Sequence, residues 1–486
     1  MSVKVEWPRN FLPKVVKSNL GGSGVSTVSI ALEAWRRGLK VEIGPNGLRY
    51  FSISDGNRKI RFDAARPVSE TNQEMIKKLA RKNSVTSSLR AAGVATPSGL
   101  IVENPRELED ACDSMGYPVV LKPDTGSMGR GVFTNLNSLL EARIAFDEIR
   151  SLYPSKKVLL EKFIRGSDYR VLVVGTEVVG AVRRIPANII GNGINTVREL
   201  IEIKNQNRKK NPFLASGKVK IDLEVKQCLD EQQLNLEAIP EKEQKVTLRK
   251  VANASAGGDV EDVTDQLSEP ILEAAKNVME TYRGVHIAGI DFIIDSLSSA
   301  KPIYAVIEIN TRPHIGVNMY PSIGRGRDVP SKIIDYFFPQ STAYSVGRYS
   351  SIKFDEQAIL SFLRDGVAES VQLPAIPEHG FPCRRRIIFD FIELSESSKL
   401  PERILKKAAK ASGISGSIKR TKTGQFELII GAQNQQIMDE FMSQITGNSP
   451  VSFFSETAWS GPITVGFKIE QKNQLTEYSD SEVIVS

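Results

Sequence analysis

At 486 residues, with 41% hydrophobic and 25% charged side chains, the chain has the composition of an ordinary soluble globular protein of roughly three domains. No apolar run reaches the roughly 18 residues of a membrane span, and no apolar core follows the N-terminal MSVKVEWPRN, so neither a spanning helix nor export is expected and a cytoplasmic location is. The three cysteines, Cys112, Cys228 and Cys383, lie far apart in no metal-binding spacing, and the three histidines, His286, His314 and His379, are too scattered for a histidine-rich metal centre or a His-based triad. A net charge of +7 is modest for this length and suits an anionic ligand such as a nucleotide.

Residues 1–73 read as an N-terminal α/β domain. A glycine turn, Gly21-Gly22-Ser23-Gly24, precedes a helical pattern over 25–37, and strands are expected over 39–43 and 48–53. The turn resembles a phosphate loop, but the Gly-Lys-Ser/Thr ending is missing, so a strand-to-helix packing turn is the better reading. A Lys- and Arg-rich helical pattern over 74–92 closes at Gly93 and Pro97, as a helix stop should. Strands over 100–102 and 118–121 with a helix over 107–115 continue an alternating α/β series.

The loop LKPDTGSMGRGV follows, with Gly126, Gly129 and Gly131 close together and Lys122 on the strand before it. Glycines bare the backbone, so such a loop can donate several N–H groups to phosphates, and the lysine adds a positive charge at the same place. Beyond a helix (137–150) and a strand (157–161), Glu161 and Asp168 bracket a short apolar linker. Its backbone either reads an adenine edge or belongs to an ordinary hairpin. Residues 191–247 are polar, and their Arg208-Lys209-Lys210 run is either a solvated face or an acidic-substrate contact. The small-residue loop containing Gly257-Gly258 follows, then a core helix over 269–282.

Segment 289–313, GIDFIIDSLSSAKPIYAVIEINTRP, reads as two apolar strands folded about Ser299. Period-2 alternation puts Glu308 and Asn310 on one face, and the fold of the hairpin brings Asp291 opposite Glu308. Two carboxylates and an amide suit Mg²⁺, with Mn²⁺ as an alternative; the bland reading is a surface hairpin with solvated acids. A closing helix over 329–338, a linker over 341–379 with one helix at 355–364, and a βαββαβ pattern over 380–470 complete the chain. The last pattern predicts a small ferredoxin-like domain, and residues 471–486 a flexible polar tail.

In this order the elements over about residues 75–340 resemble the ATP-grasp superfamily, above all the ATP-grasp part of cyanophycin synthetase and bifunctional glutathione synthetase. The strings that carry the likeness are AGVATPSG, YPVVLKPDTGSMGRGV, LLEKFIRGSDYRVLVVGTEVVGAVRRIPANIIGNGINTVRELI, LRKVANASAGGDVEDVTD and AGIDFII…VIEIN. The resemblance implies that Lys82 and Lys122 hold ATP phosphates under a lid containing Gly126, Ser127, Gly129 and Gly131. It implies that Glu161 and the backbone of Lys162, Phe163 and Ile164 contact adenine, and that Asp168 contacts ribose. It makes Asp291, Glu308 and Asn310 the magnesium ligands, and places Arg184, Arg249, Gly257 and Gly258 near the acyl phosphate and its oxyanion. Arg312 and Arg325 read as clamps for a substrate carboxylate.

Ser127-Met128, Asn188 and the Arg312-Pro313-His314 segment depart from the family pattern on the acceptor side, which bears on substrate identity rather than on ATP use. Residues 380–470 resemble acylphosphatase without its anion loop and Arg over 396–402, and with Arg420 where an Asn belongs, so a degenerate docking or dimerisation module is expected. The implied activity is an ADP-forming carboxylate–amine ligase acting on amino acids or peptides, with homo-oligomerisation allowed for. The rivals are a phosphotransferase on the same fold and an ATP-switched binding protein using the basic C-terminal domain. Nucleic-acid binding is disfavoured because that domain lacks interleaved exposed aromatics.

Overall fold

The structure, a computed structural model, describes all residues except 1–4, 17–19, 46, 80–81, 126–130, 345–350, 379, 392–399, 449–450 and 471–486. The chain divides into two compact units, one of Met1–Tyr344 with Ile359–Gln372 and one of Ser345–Ala358 with Leu373–Ser486.

In the first unit, strands Val371–Gln372, Lys40–Ile43, Tyr50–Ser54, Lys59–Asp63 and Arg66–Pro67 form an antiparallel sheet in that order. Lys59–Asp63 alternates exposed Lys59 and Arg61 with buried Ile60 and Phe62, a period-2 signal that the reading of residues 1–73 passed over. Helix Gly21–Arg36 buries Val25, Val28, Ile30, Ala31, Leu32 and Trp35. Its first turn is the Gly21-Gly22-Ser23-Gly24 segment itself, which is therefore helical rather than a turn before the helix. A Cβ on Gly22 would lie 2.2 Å from Nδ1 of His314, so close approach explains the glycine there.

Two further antiparallel sheets follow. The four-stranded one runs Gly99–Val102, Val158–Lys162, Val119–Pro123, Phe133–Leu136. Helices Pro105–Met115 and Leu139–Leu152, N-capped by Asn104 and Ser138, pack on it through Leu108, Cys112, Ala145, Phe146 and Ile149. The five-stranded sheet runs Asp259–Asp262, Glu177–Ile185, Ser167–Val174, Ile287–Ile294, Tyr304–Asn310. Tyr169, Val171, Val173, Ile290, Phe292 and Ile309 meet Val85 and Leu89 of helix Lys82–Ala91 and Ile271, Ala275 and Val278 of helix Glu269–Thr281. The helical pattern over 74–92 resolves into Gln73–Leu79 and Lys82–Ala91. Only residues 163–166 separate the last strand residue of one large sheet, Lys162, from the first of the other, Ser167.

The polar stretch 191–247 packs a core of its own. Helices Val197–Lys209 and Leu223–Asp230 enclose Val197, Ile201, Val225, Leu229 and Val246, the last from a strand, Lys245–Thr247, paired with Asn188–Ile190. Arg208 is not on a solvated face. It is buried, and its guanidinium donates to the carbonyls of Gly217, Gly258 and Ala254 at 2.7, 2.9 and 2.7 Å.

In the second unit the order is strand Cys383–Phe391, helix Leu400–Ala411, strands Ser415–Arg420 and Phe426–Ala432, helix Gln435–Asn448, strand Val451–Ala458. The fourth of these strands pairs with the first, the first with the third and the third with the second, all antiparallel. Phe467–Glu470 adds a parallel edge beside Ser415–Arg420. Ile387, Phe389, Leu405, Ala409, Leu428, Ile430, Met438 and Phe441 fill the core. Among the described residues no helix is long and apolar enough to cross a membrane.

Candidate active site

One face of the five-stranded sheet is apolar, and the other carries charged side chains beside a smaller apolar cluster with Val182 and Val260; the alternation that buries Tyr169, Val171, Ile290 and Ile309 sends Asp168, Arg170, Asp291 and Glu308 the other way. Cross-strand register sets them in a row. Arg184 lies opposite Asp168, Arg170 opposite Asp291, and Asp291 opposite Glu308. Asn310 pairs with Gly289 on the same hairpin, and its Oδ1 accepts the N–H of Arg312 at 2.9 Å. The three side chains expected to hold a metal thus end neighbouring positions of one sheet edge.

Salt bridges knit the row together. Arg170 clasps Asp291 through two parallel bonds, Nε to Oδ1 at 2.7 Å and Nη2 to Oδ2 at 2.8 Å. Arg184 donates to Asp168 from Nε at 2.8 Å and to Asp291 from Nη2 at 2.9 Å. Burial pushes the Asp291 carboxyl up, but Arg170 and Arg184 outweigh it and hold the group below the usual carboxylate range. At Asp168 burial wins, aided by the nearby charge of Asp291, and the carboxyl lies above that range despite Arg184. Burial lowers Arg184, yet its two carboxylates raise it further, so it stays a cation. Arg170 is the residue that sequence reasoning missed. Its signal was present, since it stands two positions after Asp168 and must share its face.

Glu308 is half-buried, and among the described residues it has no ion-pair partner. No group of three or more His, Cys, Asp or Glu side chains converges among the described residues, so any metal here would be held by a sparser set of two carboxylates and an amide.

On the four-stranded sheet, Lys122 and Glu161 form a buried ion pair with Nζ to Oε2 at 2.5 Å. Lys162 sends its ammonium to the carbonyls of Met115, Gly116 and Tyr117, at the end of helix Pro105–Met115, at 3.1–3.2 Å. Its N–H donates to Ser98 and that of Phe163 to Pro118, so two of the donors expected to meet a base are committed. Glu161, Phe163, Ile164 and Asp168 all lie at the junction of the two sheets, because the link over 163–166 is so short. Gly166 holds that link in a conformation with φ +155°, and a Cβ there would meet the Ile294 carbonyl oxygen at 2.5 Å.

Other expected residues are placed differently. Gly126, Ser127 and Gly129 lie outside the described residues, and of the loop's glycines only Gly131 is described, with φ +69°. Lys82 is the first residue of helix Lys82–Ala91. Arg249 is not presented to an oxyanion: it pairs with Asp222 at 2.5 Å and with Glu224, and its Nε donates to the Ala256 carbonyl. The cause is local, because Asp222 caps helix Leu223–Asp230 and Glu224 sits in its first turn, which gathers negative charge where the guanidinium lies.

Gly257 and Gly258 also depart from expectation. Their N–H groups donate to Ala254 and Asn253 and are not directed at a reacting centre. Packing accounts for both glycines, since a Cβ at Gly257 would lie 2.3 Å from Val219 and one at Gly258 2.8 Å from the Asn253 and Ile185 carbonyls. Arg312 reaches Asp63 on the N-terminal sheet, with Nη1 to Oδ2 at 3.1 Å.

Comparison with known proteins bears on this geometry. The family described as the RimK-like ATP-grasp domain matches residues 75–209. Cyanophycin synthetase of Crocosphaera subtropica is 34% identical over 265 residues, 53% of this chain and 30% of that protein. The glutathione biosynthesis bifunctional protein of Clostridium perfringens is 30% identical over 359 residues, 70% of this chain and 44% of that protein. Among solved structures, a bifunctional glutathione synthetase from Pasteurella multocida superposes with a TM-score of 0.53 and 25% identity, covering 65% of this chain and 43% of that one. The chain spans less than half the length of each of these relatives.

Proposed function

We propose that this chain, whose residues 75–209 are a RimK-like ATP-grasp domain within a mixed α/β ATP-grasp fold, is an ATP-dependent carboxylate–amine ligase that releases ADP. The observation that carries the reading is the charged row on the five-stranded sheet, Arg184–Asp168 and Arg170–Asp291–Glu308, one short link away from the buried Lys122–Glu161 pair. Amino acids or peptides are the proposed substrates, by analogy with the cyanophycin and glutathione synthesis for which the relatives are named.

The donors fit a divalent cation. Glu308 is a half-buried carboxylate with no cation of its own among the described residues, and it faces Asp291 across the hairpin. Asp291 would share its oxygens with Arg170 and Arg184, and Asn310 would add a neutral oxygen, a hard set that suits Mg²⁺ and accepts Mn²⁺. Bound there, the ion would neutralise phosphate charge and polarise the transferring phosphoryl group.

In this reading Lys122 and Lys82 hold ATP phosphates beneath the loop containing Gly126, Ser127, Gly129 and Gly131. Glu161, with the backbone of Lys162, Phe163 and Ile164, faces the base. Asp168 exchanges Arg184 for the ribose hydroxyls. Arg184, released from one carboxylate, turns its charge to the phosphoryl oxygens. A substrate carboxylate oxygen then attacks the γ-phosphorus, the bond to ADP breaks, and an acyl phosphate forms. The amine nitrogen attacks the acyl carbon, phosphate leaves with the C–O electron pair, and the ammonium proton passes to solvent. Arg249 and the Gly257–Gly258 backbone would join only after rearrangement of their present contacts.

The antiparallel strand order of the second unit supports the ferredoxin-like part of the reading; a docking or dimerisation role for it is part of the proposal.

The test is amine-dependent ADP release. The full-length protein is screened with amino acids and short peptides, and the products are read by mass spectrometry. Glu308→Ala should abolish release while the melting transition is kept; retained turnover in that variant contradicts the metal assignment, and an ADP yield indifferent to any amine contradicts the ligase.

A further inference from the structure

The N-terminal sheet carries an imbalance of charge that the ATP site does not use. Asp63, at the end of strand Lys59–Asp63, has a side chain only 2% exposed, and three guanidiniums converge on it. Arg49 donates from Nε at 2.7 Å and Nη2 at 3.2 Å, Arg66 from Nη2 at 2.8 Å, and Arg312 from Nη1 at 3.1 Å. Among the described residues the three share this one acid, which leaves two positive charges uncompensated. Such crowding is costly unless an anion joins it, because like charges held together raise one another's energy.

The arrangement is built rather than incidental. Asp63 and Arg66 are cross-strand partners around a two-residue turn whose Ala64 has φ +52°, a left-handed conformation that a non-glycine residue adopts at a cost. The Ala64 N–H bonds the Arg49 carbonyl at 2.7 Å, and the Thr27 hydroxyl donates to the same carbonyl. Backbone thus fixes Arg49, Asp63 and Arg66 relative to one another. Among the described residues the buried Arg66 Nε–H has no partner, a donor waiting for an acceptor. Arg49 and Arg312 are 43% and 39% exposed, so their outer edges face solvent while the inner ones grip Asp63. Arg312 also ties the cluster to the active-site hairpin, since its own N–H is held by Asn310.

We propose that Arg49, Arg66 and Arg312, gathered on Asp63, form a subsite for a second carboxylate of the substrate, one that is bound and not activated. This rests on the ligase reading and narrows it. The substrate is then a molecule with two acid groups, such as an acidic amino acid or a peptide with a free C-terminus. Arginine forks match carboxylate geometry, and a planar carboxylate can take two guanidinium edges at once.

Two measurements on the full-length protein test it. In calorimetry, wild type should bind glutarate about tenfold or more tightly than its monoamide, and the preference should shrink to within about twofold of one in Arg49→Gln and, independently, in Arg312→Gln. Arg49→Lys should keep part of the preference, which a folding defect would not. An unchanged preference in both glutamine variants, or no glutarate binding by wild type, overturns the subsite. Tighter binding of inorganic phosphate than of glutarate overturns the carboxylate assignment. In turnover, matched acid and amide substrates should differ in KM by a similar factor, while KM for ATP stays within about twofold in the variants. ADP release without an acid-over-amide difference refutes the subsite alone. Absence of ADP release with every carboxylate and amine refutes the ligase and leaves the calorimetric comparison standing.

Discussion

Arg170 decides whether the charged row is stable, because it supplies two of the three bonds that neutralise buried Asp291. Breaking a buried pair leaves an uncompensated charge, so Arg170→Met should cost about 3 kcal/mol of stability, read as a lowered midpoint in chemical denaturation. Asp63 gives a pH-dependent counterpart. Burial would raise its carboxyl, but Arg49 and Arg312 bring it down to about 2 from the ordinary 3.8. A depressed carboxylate contributes stability above its unfolded pKa and loses it as pH falls through the folded one. Melting temperature should therefore fall between about pH 4 and pH 2, and Asp63→Asn should flatten that limb, a contribution of about 1–2 kcal/mol after allowing for the exposed arginines. An equally steep acid limb in the variant would show that Asp63 is not responsible.

At the scale of elements, sequence patterning located the hairpin of strands Ile287–Ile294 and Tyr304–Asn310 well. Polar side chains at alternate positions of an apolar run cannot all face a core, so Glu308 and Asn310 share a face by period 2, and folding about Ser299 sets Asp291 opposite Glu308. The same rule could have delivered Arg170. What patterning could not deliver were partners distant in the chain. Asp63 and Arg312 stand 249 positions apart, and Arg249 meets Asp222 and Glu224 only because the polar stretch 191–247 folds on a core of its own. Arg208 teaches the same lesson, for within a basic run it is the one that turns inward to bind three carbonyls. Arg208→Met should leave those acceptors unsatisfied and cost about 3 kcal/mol, well above the effect of Lys209→Met on the exposed face. Gly166→Ala, meeting the Ile294 carbonyl and a φ of +155°, should loosen the junction between the two large sheets. The measurement is hydrogen exchange over 163–168, with faster exchange expected.

For the molecule as a whole, the order of elements was legible because ATP-grasp strings run over much of the first unit and the βαββαβ rhythm marks the second. The contact of Asp63 with Arg312, which joins the N-terminal sheet to the segment after strand Tyr304–Asn310, was not, since no local pattern pairs residues so far apart. In the proposed reaction a carboxylate oxygen attacks ATP to form an acyl phosphate, which an amine then opens. The most direct measurement supplies the full-length protein with ATP, an amine and a carboxylate substrate from the screen labelled with heavy oxygen, and follows the label in the inorganic phosphate released. An acyl-phosphate route places one labelled oxygen in each phosphate, in step with the amide formed. Amide formed alongside phosphate that carries no label would contradict it.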